Sequence, residues 1–250
     1  MIKICLPETA STNTYLKELC AAGDAHGAVV YTWNQLSGYG RHGRYWYSNG
    51  AENIAVSIAL KPPCNADFAP FSIVAGVAVA RTLAVHAELD IGIKWPNDIL
   101  LDGHKLCGIS CERISFNHGV YFVVGIGINV NNTQFPDELA ATATSLRIST
   151  DREWDAVRLL DDIVDSMFQY YNMLANDGFA PVLADFKRLC VNLGQPCVII
   201  RENEQIHGTA LDIDDTGCLV LQKNCGKLET FASGEISLRG IDGGYYATGS

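Results

Sequence analysis

Ile93-Lys94-Trp95-Pro96-Asn97-Asp98, then Asp102-Gly103 and Lys105-Leu106-Cys107-Gly108-Ile109, is the stretch whose reading decides the fold. A strand ends at Trp95, because Pro96 cannot donate a hydrogen bond to a sheet ladder. Asp102-Gly103 is a strong two-residue hairpin signal. Asn117-His118-Gly119 makes the next turn and leads into Val120–Asn129, so the middle of the chain reads as an antiparallel meander. Gly125 and Gly127 interrupt the otherwise continuous strand from Val123 to Val130. Glycine there weakens a strand and marks close approach by a ligand or another backbone.

Outward from this meander, Ser11-Thr12-Asn13 supplies capping side chains before a short helix whose apolar side is Tyr15, Leu16 and Leu19. Ala28–Trp33 reads as a strand, and Ile54, Val56, Ile58 and Leu60 alternate as another. Phe68 to about His86 is apolar on nearly all sides, as for a helix buried between layers. Thr150 and Glu153 form a capping box for a second helix. Its inward stripe is Val157, Leu160, Val164, Met167, Phe168, Tyr171 and Leu174, and Asp155, Arg158, Asp162 and Asp165 face water.

From Pro196 the pattern changes to short strands separated by Glu202-Asn203-Glu204, Asp214–Gly217, Asn224–Gly226 and Ser233-Gly234, which suggests a small barrel or sandwich. The expected organisation is an α+β domain over residues 1–193, a small β module over 194–240 and a flexible glycine-rich tail over 241–250.

Composition narrows the functional classes. The chain has 250 residues, 48% hydrophobic and 18% charged, which is ample for a core and unlike a disordered chain. Its net charge of −10 argues against general affinity for phosphate backbones or anionic lipid. The start lacks the long apolar stretch of a signal peptide, and no run reaches bilayer-spanning length. Nine scattered cysteines suit a reducing cytosol, so a cytoplasmic location is expected. Cys107 and Cys111, four apart on one strand, stand about 13 Å from each other, too far to share an ion.

The segment from Asn34 to Gly50 carries the other chemical signal. Gly38-Tyr39-Gly40-Arg41-His42-Gly43 formally matches a dinucleotide fingerprint, but that fingerprint must open a helix, and no helix start follows. What remains is a loop whose backbone amides can approach an anion, with Arg41 and Arg44 to grip phosphate oxygens. By composition alone a mobile surface loop with solvated arginines is the commoner outcome. In the same way Lys94 with Asp98 reads either as an amphipathic strand end or as a cation and carboxylate beside a phosphate, with Asp98 able to hold Mg²⁺. Lys105 reads either as a solvated strand residue or as a ligand contact.

Taken in order, Ser11-Thr12-Asn13, the arginine-glycine loop with Trp46, Lys94–Asp98, Lys105–Ile109 and Gly125-Ile126-Gly127-Ile128-Asn129 resemble the biotin protein ligase family. That resemblance implies the class II synthetase-like biotin/lipoate ligase fold: a mixed β-sheet with helices on one side, followed by an SH3-like C-terminal β-barrel. It implies activation of biotin by ATP to biotinyl-AMP and transfer to a lysine of the biotin carboxyl carrier domain of a carboxylase. By resemblance, Ser11, Thr12, Asn13, Gln35, Gly38, Gly108 and Gly125 bind biotin. Arg41 and Lys105 hold its carboxylate with the α-phosphate, and with Lys94 they form the catalytic set. Arg44, Trp46, Asn97 and Asn129 join Arg41 and Lys94 at the nucleotide, and Asp98 is a Mg²⁺ ligand candidate.

Two departures stand out. The family loop commonly reads Gly-Arg-Gly-Arg-x-Gly-Arg, whereas Tyr39 replaces the first arginine, so weaker adenylate retention is expected. Only ten residues precede Ser11, which leaves no room for the DNA-binding domain of family members that double as repressors; a ligase without DNA binding is expected. A homodimer stays open. The rival readings are a related lipoate or acyl-adenylate ligase and a non-catalytic biotin-binding protein. The Lys94–Asp98 and Lys105–Ile109 blocks favour biotin over lipoate, and the lysines over a phosphate favour turnover.

Overall fold

The computed structural model describes residues 2–48, 50, 53–63, 70–87, 89–201, 204–232 and 237–240. Its first half alternates β1 (Lys3–Leu6), α1 (Thr12–Ala22), β2 (Val29–Thr32), β3 (Asn53–Leu60) and α2 (Phe71–Ala87). The meander follows as β4 (Ile91–Lys94), β5 (Asp98–Leu101), β6 (His104–Phe116) and β7 (Gly119–Asn129). Four helices come next: α3 (Asp137–Ala140), α4 (Leu146–Thr150), α5 (Ala156–Asp177) and α6 (Phe179–Leu189). The chain closes with β8 (Pro196–Arg201), β9 (Glu204–Ile213), β10 (Leu219–Lys223), β11 (Leu228–Phe231) and β12 (Ser237–Gly240).

The first seven strands form one mixed sheet in the order β1-β2-β3-β7-β6-β5-β4. Only β1 and β2 pair in parallel; the meander is antiparallel throughout, with its turns at Pro96, Asp102-Gly103 and Asn117-His118. Asp102 and Gly103 both take positive φ, 51° and 76°, the demand that selects an Asp-Gly pair in a tight hairpin. The C-terminal strands make a separate antiparallel sheet in the order β11-β10-β9-β8-β12, a small SH3-like module.

Helices cover both faces of the large sheet, not one. Ile54, Val56, Ile58 and Leu60 of β3 join Phe122, Val124, Ile126 and Ile128 of β7 against α2, α5 and α6. The other face takes α1 through Leu16 and Cys20, which pack on Val30, Ala59, Tyr121 and Val123. This second cover explains why every residue of β3 is buried, including the small or polar Asn53, Ala55, Ser57 and Ala59 of its second face. α2 lies between the sheet and the α5–α6 pair, as its all-round apolar surface requires.

Several boundaries differ from the sequence reading. The proposed capping box does not start the long helix: Thr150 ends α4, and Asp155 caps α5, its Oδ1 accepting from the amides of Val157 and Arg158. Val157 is therefore on the wet side at 57% exposure, and Leu159 and Ile163 take up the inward stripe beside Leu160 and Val164. Ser11 sits at the N-cap of α1 but makes no side-chain cap bond. α2 begins at Phe71, and the Phe68 start lies outside the described residues, as do the Glu202-Asn203 and Ser233-Gly234 turns and the 241–250 tail. Among the described residues, no helix is long and apolar enough to cross a membrane.

The small module touches the large sheet at the Trp95 turn. Trp95 is 1% exposed; its backbone amide donates to Asn192 Oδ1 at 2.5 Å and its indole to the Gly217 carbonyl at 3.1 Å. Gly217, at φ 82°, has Ile73 and Phe179 against the position of a side chain. The turn that carries Lys94 and Asn97 is thus braced from behind by residues far along the chain.

Candidate active site

Strand alternation builds the floor of the site. The residues of β3, β6 and β7 that face the main core are large, whereas those facing α1 near the middle of the sheet are Ala55, Ser57, Gly108, Ser110, Gly125 and Gly127. Gly108 pairs with Gly127 across β6 and β7, and both Ser57 and Ser110 pair with Gly125. Small side chains in register leave a hollow under α1, and a cavity of about 380 Å³ opens there.

The hollow is closed on top by the segment from Gln35 to Trp46, which folds as a small hairpin with a single 3-10 turn, Arg41–Gly43, at its tip. Gly40 donates to the Arg44 carbonyl at 2.8 Å, Trp46 donates to the Gly38 carbonyl at 2.9 Å, and Tyr39 bridges Tyr45. The Trp46 indole lies on the two glycines. A Cβ at Gly127 would stand 2.5 Å from Trp46 Cε2, and one at Gly108 would stand 2.9 Å from Trp46 Cζ3. The buried indole N–H has no hydrogen-bond partner among the described residues.

One end of the cavity is a ring of neutral hydrogen-bonding groups at the start of α1. Thr12 donates from its amide to Gln35 Oε1 at 2.9 Å. Ser57 Oγ donates to Asn13 Oδ1 at 2.5 Å and lies 2.7 Å from Thr12 Oγ1. Asn13 Nδ2 in turn donates to Ser110 Oγ at 3.1 Å and to Glu112 Oε1 at 2.9 Å. Ser11, Thr12, Asn13 and Gln35 are all buried, so their geometry is fixed by packing as well as by hydrogen bonds.

The other end is cationic. Lys94 closes β4 and is 2% exposed. Arg41 donates to Asn97 Oδ1 at 3.0 Å, and Asn97 Nδ2 donates to the Ile109 carbonyl at 2.8 Å, which ties the hairpin to the meander. Lys105 Nζ lies 2.7 Å from Asp98 Oδ1 and 5.6 Å from the centre of the Trp46 ring. Burial pulls the Arg41 pKa below its usual value; the Asp98 charge opposes that shift and the Arg44 charge adds to it. His42, at φ 57°, is likewise lowered, first by burial and then by the two arginines.

Every residue proposed from sequence for the site lines this cavity except Gly38. Gly38 serves packing: a side chain there would run into Gln35 and would stand 3.2 Å from Trp46 Cβ. Arg44 is on the exposed rim, and Asn129, 4% exposed, is held by the Thr144 carbonyl at 2.9 Å. Asp98 is the one carboxylate among the described lining residues, and its bond to Lys105 was not anticipated. Sequence reasoning also missed Ser57 and the wall formed by Phe135, Leu139, Thr142 and Ala143. Lys105 anchors that wall by a short parallel bridge, receiving Thr144 N–H and donating to the Thr142 carbonyl at 2.7 Å. Of the two motifs on either side of Asp102-Gly103, the hairpin register alone would have brought Asp98 and Lys105 near each other.

A glycine-floored cavity with a neutral polar end and a cationic end, on a mixed sheet followed by an SH3-like module, defines an acyl-activating ligase class. The model for the biotin/lipoate A/B protein ligase family matches residues 6–129, and that for the biotin protein ligase C terminal domain matches residues 193–239. The biotin–[acetyl-CoA-carboxylase] ligase of Paracoccus denitrificans is 34% identical over 89% of this chain and 95% of its own length. The bifunctional ligase/repressor BirA of Bacillus subtilis is 32% identical over 92% of this chain and 71% of its own. Among solved structures, the biotin protein ligase of Aquifex aeolicus in complex with biotin and ATP superposes with a TM-score of 0.84 at 27% identity, covering 95% of this chain and 98% of that one. The chain belongs to the biotin protein ligase family.

Proposed function

We propose that this protein activates biotin with ATP to biotinyl-5′-AMP, releasing pyrophosphate, and then transfers biotin to one lysine of a biotin carboxyl carrier domain. The observation that carries this reading is the pairing, in one cavity, of a fixed neutral polar end with the cationic side chains of Arg41, Lys94 and Lys105, and Arg44 at the rim. A ureido ring needs buried donors and acceptors, because an unpaired polar group costs about 1–3 kcal/mol. Thr12, Asn13, Gln35 and Ser57 offer both kinds. A carboxylate leading away from that ring toward the cationic end meets Arg41 and Lys105.

In the first step a biotin carboxylate oxygen attacks the α-phosphorus, the bond from phosphorus to the bridging oxygen breaks, and pyrophosphate leaves. No protein nucleophile is needed. Lys94, Arg41 and Lys105 stabilise the charge that builds on the phosphate, and alignment of the two substrates supplies the rest. Mg²⁺ bound with ATP would neutralise the leaving pyrophosphate, and Asp98 is the lining carboxylate that would face it. Asp98 is bonded to Lys105 and so orients that lysine. The Trp46 N–H, unpartnered among the described residues, is a donor left for a ligand oxygen. In the second step the carrier lysine's neutral amine attacks the acyl carbon, the acyl C–O bond of the anhydride breaks, AMP departs, and the amine proton passes to solvent.

Burial raises Cys107 far above its usual pKa and Cys190 to about 11, which fits packing roles in a reducing, cytoplasmic setting. The acidic net charge supports a role without DNA. Pyrophosphate release measured with ATP and biotin, and separately with ATP and lipoate, tests the reading. Release with biotin is expected; release only with lipoate moves the protein to the lipoate ligases, and tight biotin binding with no release makes it a binding protein.

A further inference from the structure

The position where the family loop carries its first arginine holds Tyr39, and its surroundings are more organised than a neutral replacement requires. The Tyr39 hydroxyl donates to Glu112 Oε1 at 3.2 Å and accepts from Lys17 Nζ at 3.1 Å. Lys17 Nζ also donates to Glu112 Oε2 at 2.9 Å, and it lies 5.6 Å from the centre of the Tyr39 ring. Three elements therefore meet in one knot: the hairpin, α1 and β6. The lysine's pKa stays above its usual value despite burial, because Glu112 and Tyr39 both bond its charged form. Glu112 extends the knot inward, since the oxygen that takes the Tyr39 proton also accepts from Asn13 Nδ2 at 2.9 Å.

From this geometry we infer that Tyr39, Lys17 and Glu112 form a clasp that fixes the base of the hairpin over the cavity and sets the orientation of the Asn13 amide. The three are positioning residues for the reaction proposed above, and the inference rests on that reading for its functional consequence. An asparagine amide has two nearly equivalent orientations. With Nδ2 committed to Glu112 and Ser110, Oδ1 must face Ser57 and the cavity side of Gly125. Glu112 therefore decides which end of Asn13 a ligand meets, and Tyr39 with Lys17 decides where Glu112 stands. The tip of the hairpin, Arg41–Arg44, lies beyond the clasp and is held separately, by the bond from Arg41 to Asn97. On this account Tyr39 does not loosen the loop; it replaces an ionic tether by a phenol held between a cation and a carboxylate.

Two measurements on the full chain test this. Hydrogen exchange of the Gly40 and Trp46 amides in the free protein reads the clasp itself. Tyr39→Phe and Glu112→Gln are expected to speed it by about fivefold to tenfold, the worth of one half-exposed charge-assisted hydrogen bond. The dissociation rate of biotinyl-AMP and the KM for biotin read the consequence: both rise in Lys17→Met and Glu112→Gln by a similar factor, with kcat changed far less, and Lys17→Arg restores them. Unchanged exchange in Tyr39→Phe and Glu112→Gln overturns the clasp. Faster exchange with unchanged release and KM overturns its positioning role. If the wild type makes no biotinyl-AMP, the proposed function fails, and the exchange comparison still decides the clasp.

Discussion

Lys105→Gln is the substitution for which the structure supplies a magnitude. The ammonium stands 2.7 Å from Asp98 Oδ1, and the two side chains are only 26% and 13% exposed, so water screens the contact weakly. A Cβ at Gly108 would lie 3.3 Å from Nζ, which puts the charge beside the glycine floor and the Trp46 ring at the cavity wall. A charge-assisted hydrogen bond in such a site is worth about 1.5–3 kcal/mol. Felt mainly in the transition state, that loss slows adenylation by roughly 10- to 150-fold. Glutamine keeps a donor for Asp98 and the backbone bridge to Ala143, so the fold should hold. Rapid-quench measurement of a single turnover, with biotin and ATP saturating and pyrophosphate as the readout, gives the rate directly. A Lys105→Gln rate equal to wild type would refute the reasoning and leave Lys105 as a strand residue paired with Asp98.

Arg41→Gly removes the hairpin's bond to Asn97, and the account expects faster loss of biotinyl-AMP and labelling of lysines without carrier selectivity; retention equal to wild type in a dissociation assay counts against it. Gly125→Ala drives a methyl to 2.6 Å from Ser110 Oγ and into Asn13, so a cost of about 1–3 kcal/mol in urea unfolding and weaker biotin binding by calorimetry are expected. Asp24 accepts from Lys61 at 2.7 Å, from Tyr121 at 2.9 Å and from the His26 amide at 3.0 Å, and these donors, Lys61 foremost, hold its carboxyl well below the usual range. Because the folded pKa is lowered, this contribution is complete above the ordinary value of about 3.9 and is lost as pH falls below it. The difference in urea midpoint between wild type and Asp24→Asn should therefore shrink on going below that pH; a constant difference would contradict the assignment.

The meander was legible because each of its turns has a residue that leaves few alternatives: Pro96 cannot continue a ladder, and Asp102-Gly103 fits a two-residue hairpin. The paired glycines of β6 and β7 were legible for the same reason, since a strand tolerates Gly108, Gly125 and Gly127 only where something lies on it. What lies on them here is Trp46 and Asn13, a long-range fact that no local pattern holds. The start of α5 was misread because Thr150, Asp151 and Asp155 are all capping residues within six positions, and only packing selects Asp155. The cover on both sheet faces was hidden by Ser57, a polar residue buried for its hydrogen bond to Asn13 and not exposed to water. The wall from Phe135 to Ala143 has no periodicity to read, and its position follows from the bridge to Lys105. Lys17 and Glu112 look like solvated charges in sequence; their meaning comes only from Tyr39 between them.

The central claim is that one cavity both makes and hands on an activated biotin. Its most direct test is a chase experiment. Labelled biotin and ATP are incubated with the protein alone, unbound substrates are removed, and a biotin carboxyl carrier domain is added without further ATP. The account predicts that label stays with the protein as biotinyl-AMP until the carrier arrives and then moves to a single carrier lysine, with AMP released in equal amount. Label that never becomes biotinyl-AMP, or biotinyl-AMP that the carrier cannot discharge, would contradict it.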